Sequence, residues 1–305
     1  MEPDNGHELV RPCDIKGILH SHSRWTDGAH SLESMVTTAR EIGLEYMGVS
    51  DHFLSDNHQE GLDLVAAKVQ RAEVERLLGK YPDFDLLHGI EVDVNPDGSL
   101  PVDDGDLGFF DFVIAAFPEN GGYDRDQLLE RAIQAAKHPQ VTILGNPVGD
   151  FMLRGCNGDS ALMEKVLTAA AESGTAVEIT ANPSGKALDW TCCHLARELG
   201  VYMAISPDAH RAARLVDYRH GAELALHGVG DGRRGGQRHV LREAVHEEYC
   251  GKSGTHGDVP SHRPRVPGRN PAPQRRQLQG GGGACPKRQA REAQGSPRGD
   301  SQADR

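Results

Sequence analysis

The sequence lacks the features that mark a secreted or membrane-bound protein. Its six cysteines form no C-x-x-C pair, and the first two dozen residues contain no apolar signal-peptide core. No apolar run approaches the ~20 residues that are needed to span a bilayer. These absences predict a cytoplasmic protein that has no membrane partner.

Positive charge is scarce over most of the chain. Residues 231–305 hold 15 of the 33 Lys and Arg side chains against 8 acidic ones, whereas the other 230 residues hold 18 basic and 37 acidic side chains. The whole chain has a formal net charge of −12. An acidic body argues against nonspecific nucleic-acid binding through overall charge, although it is compatible with a metal site that attracts phosphate locally.

The C-terminal stretch lacks any alternation of strand-like and helix-like segments. After about residue 227, Gly, Arg, Pro, Gln and Ser dominate, and such a composition buries too little apolar surface to offset chain entropy. We therefore predict an N-terminal extension over 1–13, one domain over 14–226 and a disordered tail over 227–305. The basic residues of the tail are compatible with contact to nucleic acid, and a solvated extension is the alternative.

Within the predicted domain, short β-type runs alternate with amphipathic helical segments. Repeated strand–helix units indicate parallel strands joined by right-handed crossovers, hence either a doubly wound sheet or a barrel. The predicted helices cover 32–42, 62–78, 124–136, 161–172 and 190–199. The predicted strands cover 15–19, 45–50, 86–92, 111–117, 141–145, 175–180 and 201–206.

Polar side chains that can bind metal follow several of these strands. His20 and His22 close the first strand, and they project to the same side because strand side chains alternate with period two. His52, Glu91 and Asp208 occupy corresponding strand ends downstream. A closed barrel brings such ends together at one mouth, whereas an open sheet spreads them apart, so the pattern favours a barrel with a transition-metal site.

Several motifs occur in a specific order: DIKGILHSHSRWTDG, GVSDHF, GIEVDVNPDGSL, LGNPVG, EITANP and ISPDAH. Over about residues 14–226 this series resembles the polymerase and histidinol phosphatase (PHP) superfamily, above all the C-terminal PHP domain of bacterial family X DNA polymerases. The resemblance implies a distorted (β/α)7 TIM-like barrel that hydrolyses phosphoesters with up to three divalent ions, zinc or manganese, at its mouth.

The resemblance also implies which residues hold the ions. One ion would be held by His20, His22, Glu91 and Asp208, and Glu91 would bridge towards a middle ion. A second ion would lie near Asp27, His52 and His210. Glu91 and Asp208 are the predicted catalytic residues. An isolated histidine is more often a hydrogen-bonded core or rim residue, and it is the ordered series that favours ligation here.

The sequence departs from the family pattern at the middle ion. Pro118 and Asn146 stand where the family has histidines, and neither offers an imidazole. We therefore expect two ions rather than three. Arg154 and Arg211 are candidates for holding a substrate phosphate, and a solvated arginine is the alternative reading of each.

Three functions remain open at this point. The first is a phosphoesterase that uses metal-activated water on a phosphorylated small molecule or, like the polymerase-associated domain, on the 3′ end of DNA as a 3′–5′ exonuclease. The second is a catalytically impaired barrel that serves as a binding or regulatory module. The third is an amidohydrolase-type metalloenzyme, which normally has a bridging lysine at a mid-barrel strand end, and no strand end here supplies one.

Overall fold

The computed structural model describes residues 11–117, 125–145, 160–182 and 190–229, and the statements below concern this part of the chain. It forms a seven-stranded sheet in which every pair of neighbours is parallel and the spatial order follows the chain order. The predicted α/β barrel is confirmed. The strands are β1 (Gly17–Ile18), β2 (Tyr46–Val49), β3 (Asp85–Asp93), β4 (Phe112–Ala116), β5 (Ile143–Leu144), β6 (Ala176–Thr180) and β7 (Met203–Ser206).

Helices connect the strands and cover the outside of the sheet. The first begins after Ser31, whose hydroxyl accepts a hydrogen bond from the Ser34 amide at 3.2 Å, and it stops before Gly43 at a φ of 88°. The helices are α1 (Leu32–Glu41), α2 (Leu64–Lys80), α3 (Asp104–Leu107), α4 (Arg125–Lys137), α5 (Ser160–Ser173), α6 (Trp190–Leu199) and α7 (Tyr218–Val229). Within these residues, no helix combines the length and the apolar character required to cross a membrane.

The first and last strands meet at the mouth of the barrel. Just beyond β1 and β7, Ser21 and Ala209 form a parallel bridge. The His22 amide donates to the Ala209 carbonyl at 3.0 Å, and the Ala209 amide donates to the His20 carbonyl at 3.3 Å. We call this pairing the seam. It places the His-Ser-His and Asp-Ala-His motifs side by side, although they come from opposite ends of the domain.

Apolar side chains fill the barrel below its mouth. Phe112 is fully buried and packs with Leu87, Ile114 and Ile143 in an interior cluster. Gly89 makes room for the Phe112 ring, since a Cβ at this position would lie 2.2 Å from it. Glu91 and Asp93 follow Gly89 at intervals of two residues, so all three lie on the same face of β3. Apolar side chains therefore fill the lower part of the barrel interior, and carboxylates lie at its rim.

The segment after β7 is more helical than predicted. A 3₁₀ turn at Ala212–Asp217 leads into α7, in which Ala222 and Ala225 are buried. This helix is amphipathic, but no strand follows it, so the strand–helix alternation on which the sequence prediction depends does not mark it. Helix α7 ends at Val229, inside the range predicted for the tail, and residues 230–305 lie outside the described part of the chain.

Candidate metal centre

The structure brings all seven predicted ligands to one place at the mouth of the barrel. They come from the segments that follow β1, β2 and β7 and from β3 itself, as parallel topology requires. Two groups of side chains have potential ligand atoms within 4.8 Å of one another. The inner set is His20, His22 and Asp208, and the outer set is Asp27, His52 and His210 together with the shared His22.

The inner set is built across the seam. The Oδ1 atom of Asp208 lies 3.1 Å from Nε2 of His22 and 3.5 Å from Nε2 of His20. Both imidazoles are almost completely buried. Asp208 has a φ of 48°, a left-handed conformation that costs a non-glycine residue energy and that aspartate tolerates better than most. The surrounding structure therefore holds this carboxylate in a specific orientation.

Glu91 lies between the two sets. Its Oε2 atom is 3.3 Å from Nε2 of His20, 3.4 Å from Nε2 of His22 and 3.0 Å from Nδ1 of His52. One carboxylate oxygen thus contacts imidazoles of both sets, which is the arrangement that a bridging ligand requires.

The outer set is centred on Asp27, which is carried by the loop between β1 and α1. Its Oδ2 atom lies 3.0 Å from Nε2 of His210 and 3.5 Å from Nε2 of His52, and its Oδ1 atom lies 3.7 Å from Nδ1 of His22. The rings of His22 and His210 stack with centroids 4.2 Å apart. Imidazoles and a carboxylate therefore converge here as well.

The contacts of the inner set fit metal ligation better than hydrogen bonding. Among the described residues, five buried atoms of the centre have no hydrogen-bond partner: Nε2 of His20, both ring nitrogens of His22, Oε2 of Glu91 and Oδ1 of Asp208. Unsatisfied buried polar atoms are costly and rare. Ligand atoms bound tetrahedrally at about 2.0–2.2 Å lie roughly 3.3–3.6 Å apart, close to the separations found here.

The pKa values of several side chains in the centre are strongly shifted. Burial disfavours protonation of His20, but Glu178, Glu91 and Asp208 outweigh it and raise the pKa of His20 well above its ordinary value. Burial is likewise outweighed at His52, where Asp27 and Glu91 raise the pKa to about 10. These histidines lower the pKa of Glu91 although burial opposes ionisation. The centre therefore favours added positive charge, which a divalent ion supplies.

Glu178 supports the inner set and was not predicted from the sequence. It lies fully buried on β6, and its Oε1 atom accepts a hydrogen bond from Nδ1 of His20 at 2.6 Å. That bond directs the Nε2 lone pair of His20 towards the mouth, as carboxylates behind metal-bound histidines do. A carboxylate within the otherwise apolar run AVEIT was the available signal.

Asp51 supports the outer set from behind. Its carboxylate accepts hydrogen bonds from the Ser23 amide at 2.7 Å, the Ser23 hydroxyl at 2.6 Å and the Thr26 hydroxyl at 2.7 Å. It also accepts one from the Gln70 amide at 2.6 Å. Asp51 is completely buried. These bonds fasten the loop that carries Asp27, and no spacing rule in the sequence connects Ser23 with Asp51.

The remaining predicted site residues are less well defined. Arg211 is exposed and directly follows His210 at the start of the 3₁₀ turn. Arg154 lies outside the described residues, as do Pro118 and Asn146, the two positions at which the sequence departs from the family pattern.

No family model matches the chain. Over 223 residues, or 72% of the chain, it is 33% identical to the DNA polymerase/3′-5′ exonuclease PolX of Bacillus subtilis, and it spans 39% of the length of that relative.

Two solved structures share the fold. Histidinol phosphate phosphatase of Lactococcus lactis, crystallised with zinc, L-histidinol and phosphate, superposes with a TM-score of 0.58 at 20% identity over 70% of this chain and 94% of its own. HisK of Listeria monocytogenes, a histidinol phosphatase candidate, superposes with a TM-score of 0.53 at 15% identity. The match covers 66% of this chain and 97% of that protein.

Proposed function

We propose, from its confirmed resemblance to the polymerase and histidinol phosphatase superfamily, that this chain is a metal-dependent phosphoesterase. The reaction is hydrolysis of a phosphomonoester or phosphodiester by water. The observation that carries the proposal is the set of buried nitrogen and oxygen atoms that converge at the mouth of the barrel and have no hydrogen-bond partner among the described residues.

The residues of the two sets have distinct roles in this proposal. One ion would be held by His20, His22, Glu91 and Asp208, and a second by Asp27, His52 and His210. Glu91 contacts both sets. Divalent ions bound there would polarise a phosphoryl oxygen and lower the pKa of coordinated water to ~7. Glu178 fixes the tautomer of His20, and Asp51 fixes the loop of Asp27.

The expected number of ions is two. Zinc and manganese both suit imidazole and carboxylate ligands, and the Lactococcus relative was crystallised with zinc. Two divalent ions would be sufficient to activate a water molecule and to polarise the phosphoryl group. The sequence offers no imidazole at Pro118 or Asn146 for a third.

A small phosphorylated molecule is the substrate class that the charge favours. The 230 residues outside 231–305 are strongly acidic, which repels a polyanion at a distance, whereas ions at the mouth attract a single phosphate locally. Arg211 and Arg154 are the candidate side chains for holding that phosphate. Arginine suits the role because it binds phosphate oxygens in pairs.

The second candidate function is 3′–5′ hydrolysis of DNA. It is supported by the 33% identity to the polymerase and exonuclease of Bacillus subtilis. The third is a barrel that binds ligands without turnover, and it is motivated by Pro118 and Asn146.

One experiment separates the three functions. The metal-to-protein ratio of freshly purified protein is measured, followed by hydrolysis of p-nitrophenyl phosphate, bis-p-nitrophenyl phosphate and a 3′-labelled DNA strand with added Mn²⁺ or Zn²⁺. Monoester turnover that is lost in His20→Ala and Asp208→Asn and retained in His194→Ala supports the phosphoesterase. Turnover of DNA alone supports the exonuclease, and bound metal without any turnover supports the binding module. Metal-free protein without turnover refutes the proposal.

A further inference from the structure

A short turn between β2 and α2 lies against the outer set. The Ser55 and His58 amides each donate to the other residue's carbonyl at 3.2 Å, and the Gly61 amide donates to the His58 carbonyl at 2.9 Å. A Cβ at Gly61 would lie 2.6 Å from the backbone of Phe53 and Leu54, so only glycine fits there. We call this segment the 55–61 turn. The sequence suggests only a structural or surface role for its histidine.

The turn is fastened to the rim of the barrel through Asp93. This residue is only 8% exposed and lies two positions beyond Glu91 on the same face of β3. Its Oδ2 atom accepts hydrogen bonds from the Ser55 hydroxyl at 2.6 Å and the Asn57 amide at 3.0 Å, and it lies 3.3 Å from Nδ1 of His58. One carboxylate oxygen thus holds three side chains of a single turn.

This anchoring places the ring of His58 flat against the ring of His52. Their centroids are 3.6 Å apart and their planes differ by 9°. The two ring nitrogens of His52 point at Glu91 and at Asp27, so the plane of this ring determines whether His52 can serve the outer set. A second ring stacked on one face restricts rotation about the Cβ–Cγ bond of His52.

We infer that Asp93 and His58 are positioning residues for the outer ion, acting through the stacked ring of His52. The inference rests on the proposed metal site and goes beyond it, because neither residue belongs to the inner or the outer set. It assigns the 55–61 turn a function and explains why a buried carboxylate stands beyond Glu91. Outer-layer partners of metal-bound histidines typically change metal affinity by about 10–100-fold.

The test compares ion affinities in variants of the full chain. His58→Ala and Asp93→Asn are titrated with Zn²⁺ and with Mn²⁺ by isothermal calorimetry, and bound metal is counted after dialysis. His194→Ala is the matched control, because its side chain is 35% exposed against 31% for His58 and it lies on α6. We expect the affinity for the second ion to fall by about tenfold in both variants. The affinity for the first ion, and both affinities in the control variant, are expected to stay unchanged.

Two further measurements separate positioning from a general structural effect. In metal-free protein, the ring signals of His52 in long-range ¹H–¹⁵N spectra are expected to be sharp in the parent and broadened in His58→Ala. His58→Phe, which keeps a flat ring but cannot bond to Asp93, is expected to recover part of the affinity. If hydrolysis is detectable, excess metal restores kcat in His58→Ala without changing KM.

The outcomes also separate this inference from the proposed function. Unchanged second-ion affinity with unchanged His52 signals in folded His58→Ala and Asp93→Asn overturns the inference and leaves the function intact. Equal weakening of both ions, or a parent protein that binds one ion only, overturns it as well. Two bound ions without phosphoester hydrolysis in the parent refutes the function alone.

Discussion

The inner and outer sets differ in how they are built. The inner imidazoles follow β1 directly, and the side chains of His20 and His22 are 3% and 0% exposed. The outer set relies on side chains from loops, and those of Asp27 and His210 are 47% and 38% exposed. The imidazoles of the inner set are therefore fixed by the barrel itself, whereas most of the outer set is carried by more exposed loops.

The supporting contacts follow the same division. The inner set is held by the backbone of the seam and by Glu178 on β6. The outer set depends on the Asp51 bonds to the loop of Asp27 and on the contact of His58 with His52. Elements of regular structure fix side chains more rigidly than loops do. We therefore expect a tightly held inner ion and an outer ion that exchanges more readily.

The largest effect is expected where the two sets share a residue. His22→Ala removes the ligand nitrogen that faces Asp208 in the inner set, and it also removes the contacts of the same ring with Asp27 and His210 in the outer set. We expect the loss of both ions and a decrease in hydrolysis greater than the roughly 100-fold typical of outer-layer changes. Metal counting and kcat/KM measure this. Retention of one ion at full affinity would show that the sets are independent.

A smaller and one-sided effect is expected at the exposed end of the outer set. His210→Ala removes the imidazole that lies 3.0 Å from Asp27, together with its contacts to Asp208 and the His22 ring, and it retains all the ligands of the inner ion. We expect one ion to remain, hydrolysis to fall by about 100-fold or less, and excess Mn²⁺ to restore part of it. Metal counting before and after dialysis checks this. Loss of both ions would contradict the division.

A substitution of Glu178 on β6 is expected to weaken the binding of the inner ion alone. Glu178→Gln keeps an oxygen that can accept from Nδ1 of His20 but removes the negative charge behind that ring. We expect about tenfold weaker binding of the inner ion and no change in the outer one. Competition titrations with a chelator resolve the two affinities. An equal change in both would mean that Glu178 acts on the whole rim.

The smallest effect concerns pH and the network behind the outer set. Nε2 of His88 lies 2.8 Å from the Gln70 oxygen, and Gln70 donates to Asp51. Burial, assisted by Arg71, lowers the pKa of His88 to about 3. Between that value and about 6.5 the unfolded chain binds the extra proton, so His88 makes the free energy of unfolding fall as the pH falls from 6.5 towards 3.

His88→Gln tests this contribution. Denaturant unfolding in the presence of a chelator, at pH 7, 6 and 5, is expected to show a weaker pH dependence in the variant, by up to about 1.4 kcal/mol per pH unit. His194→Ala serves as the control for loss of an exposed histidine. Parallel curves for His88→Gln and the parent protein would show that His88 takes up its proton normally in the folded state.

The sequence predicted the parts of the molecule that repeat. The seven strands were predictable because each is a short apolar run bounded by turns. The convergence of the candidate ligands was predictable because the carboxyl ends of the strands of a barrel meet at one mouth. Glu178, Asp93 and His58 were not predicted. Their roles arise from contacts between segments far apart in the chain, for which no local pattern exists. Helix α7 was not predicted because no strand follows it, so it lies outside the strand–helix alternation that marks the other helices.

The seam between Ser21 and Ala209 has a consequence for how the molecule assembles. Every other neighbouring pair of strands is linked through one intervening connection, whereas this pair closes only when nearly the whole domain has been made. The centre thus forms between the two segments that are farthest apart in the sequence. The entropic cost of bringing such segments together is the highest, and no local contacts offset it. Ion binding at the proposed centre would add its free energy to that final closure. If the proposed function is correct, ions bound at the centre would join the first and last strands of the barrel as well as take part in hydrolysis.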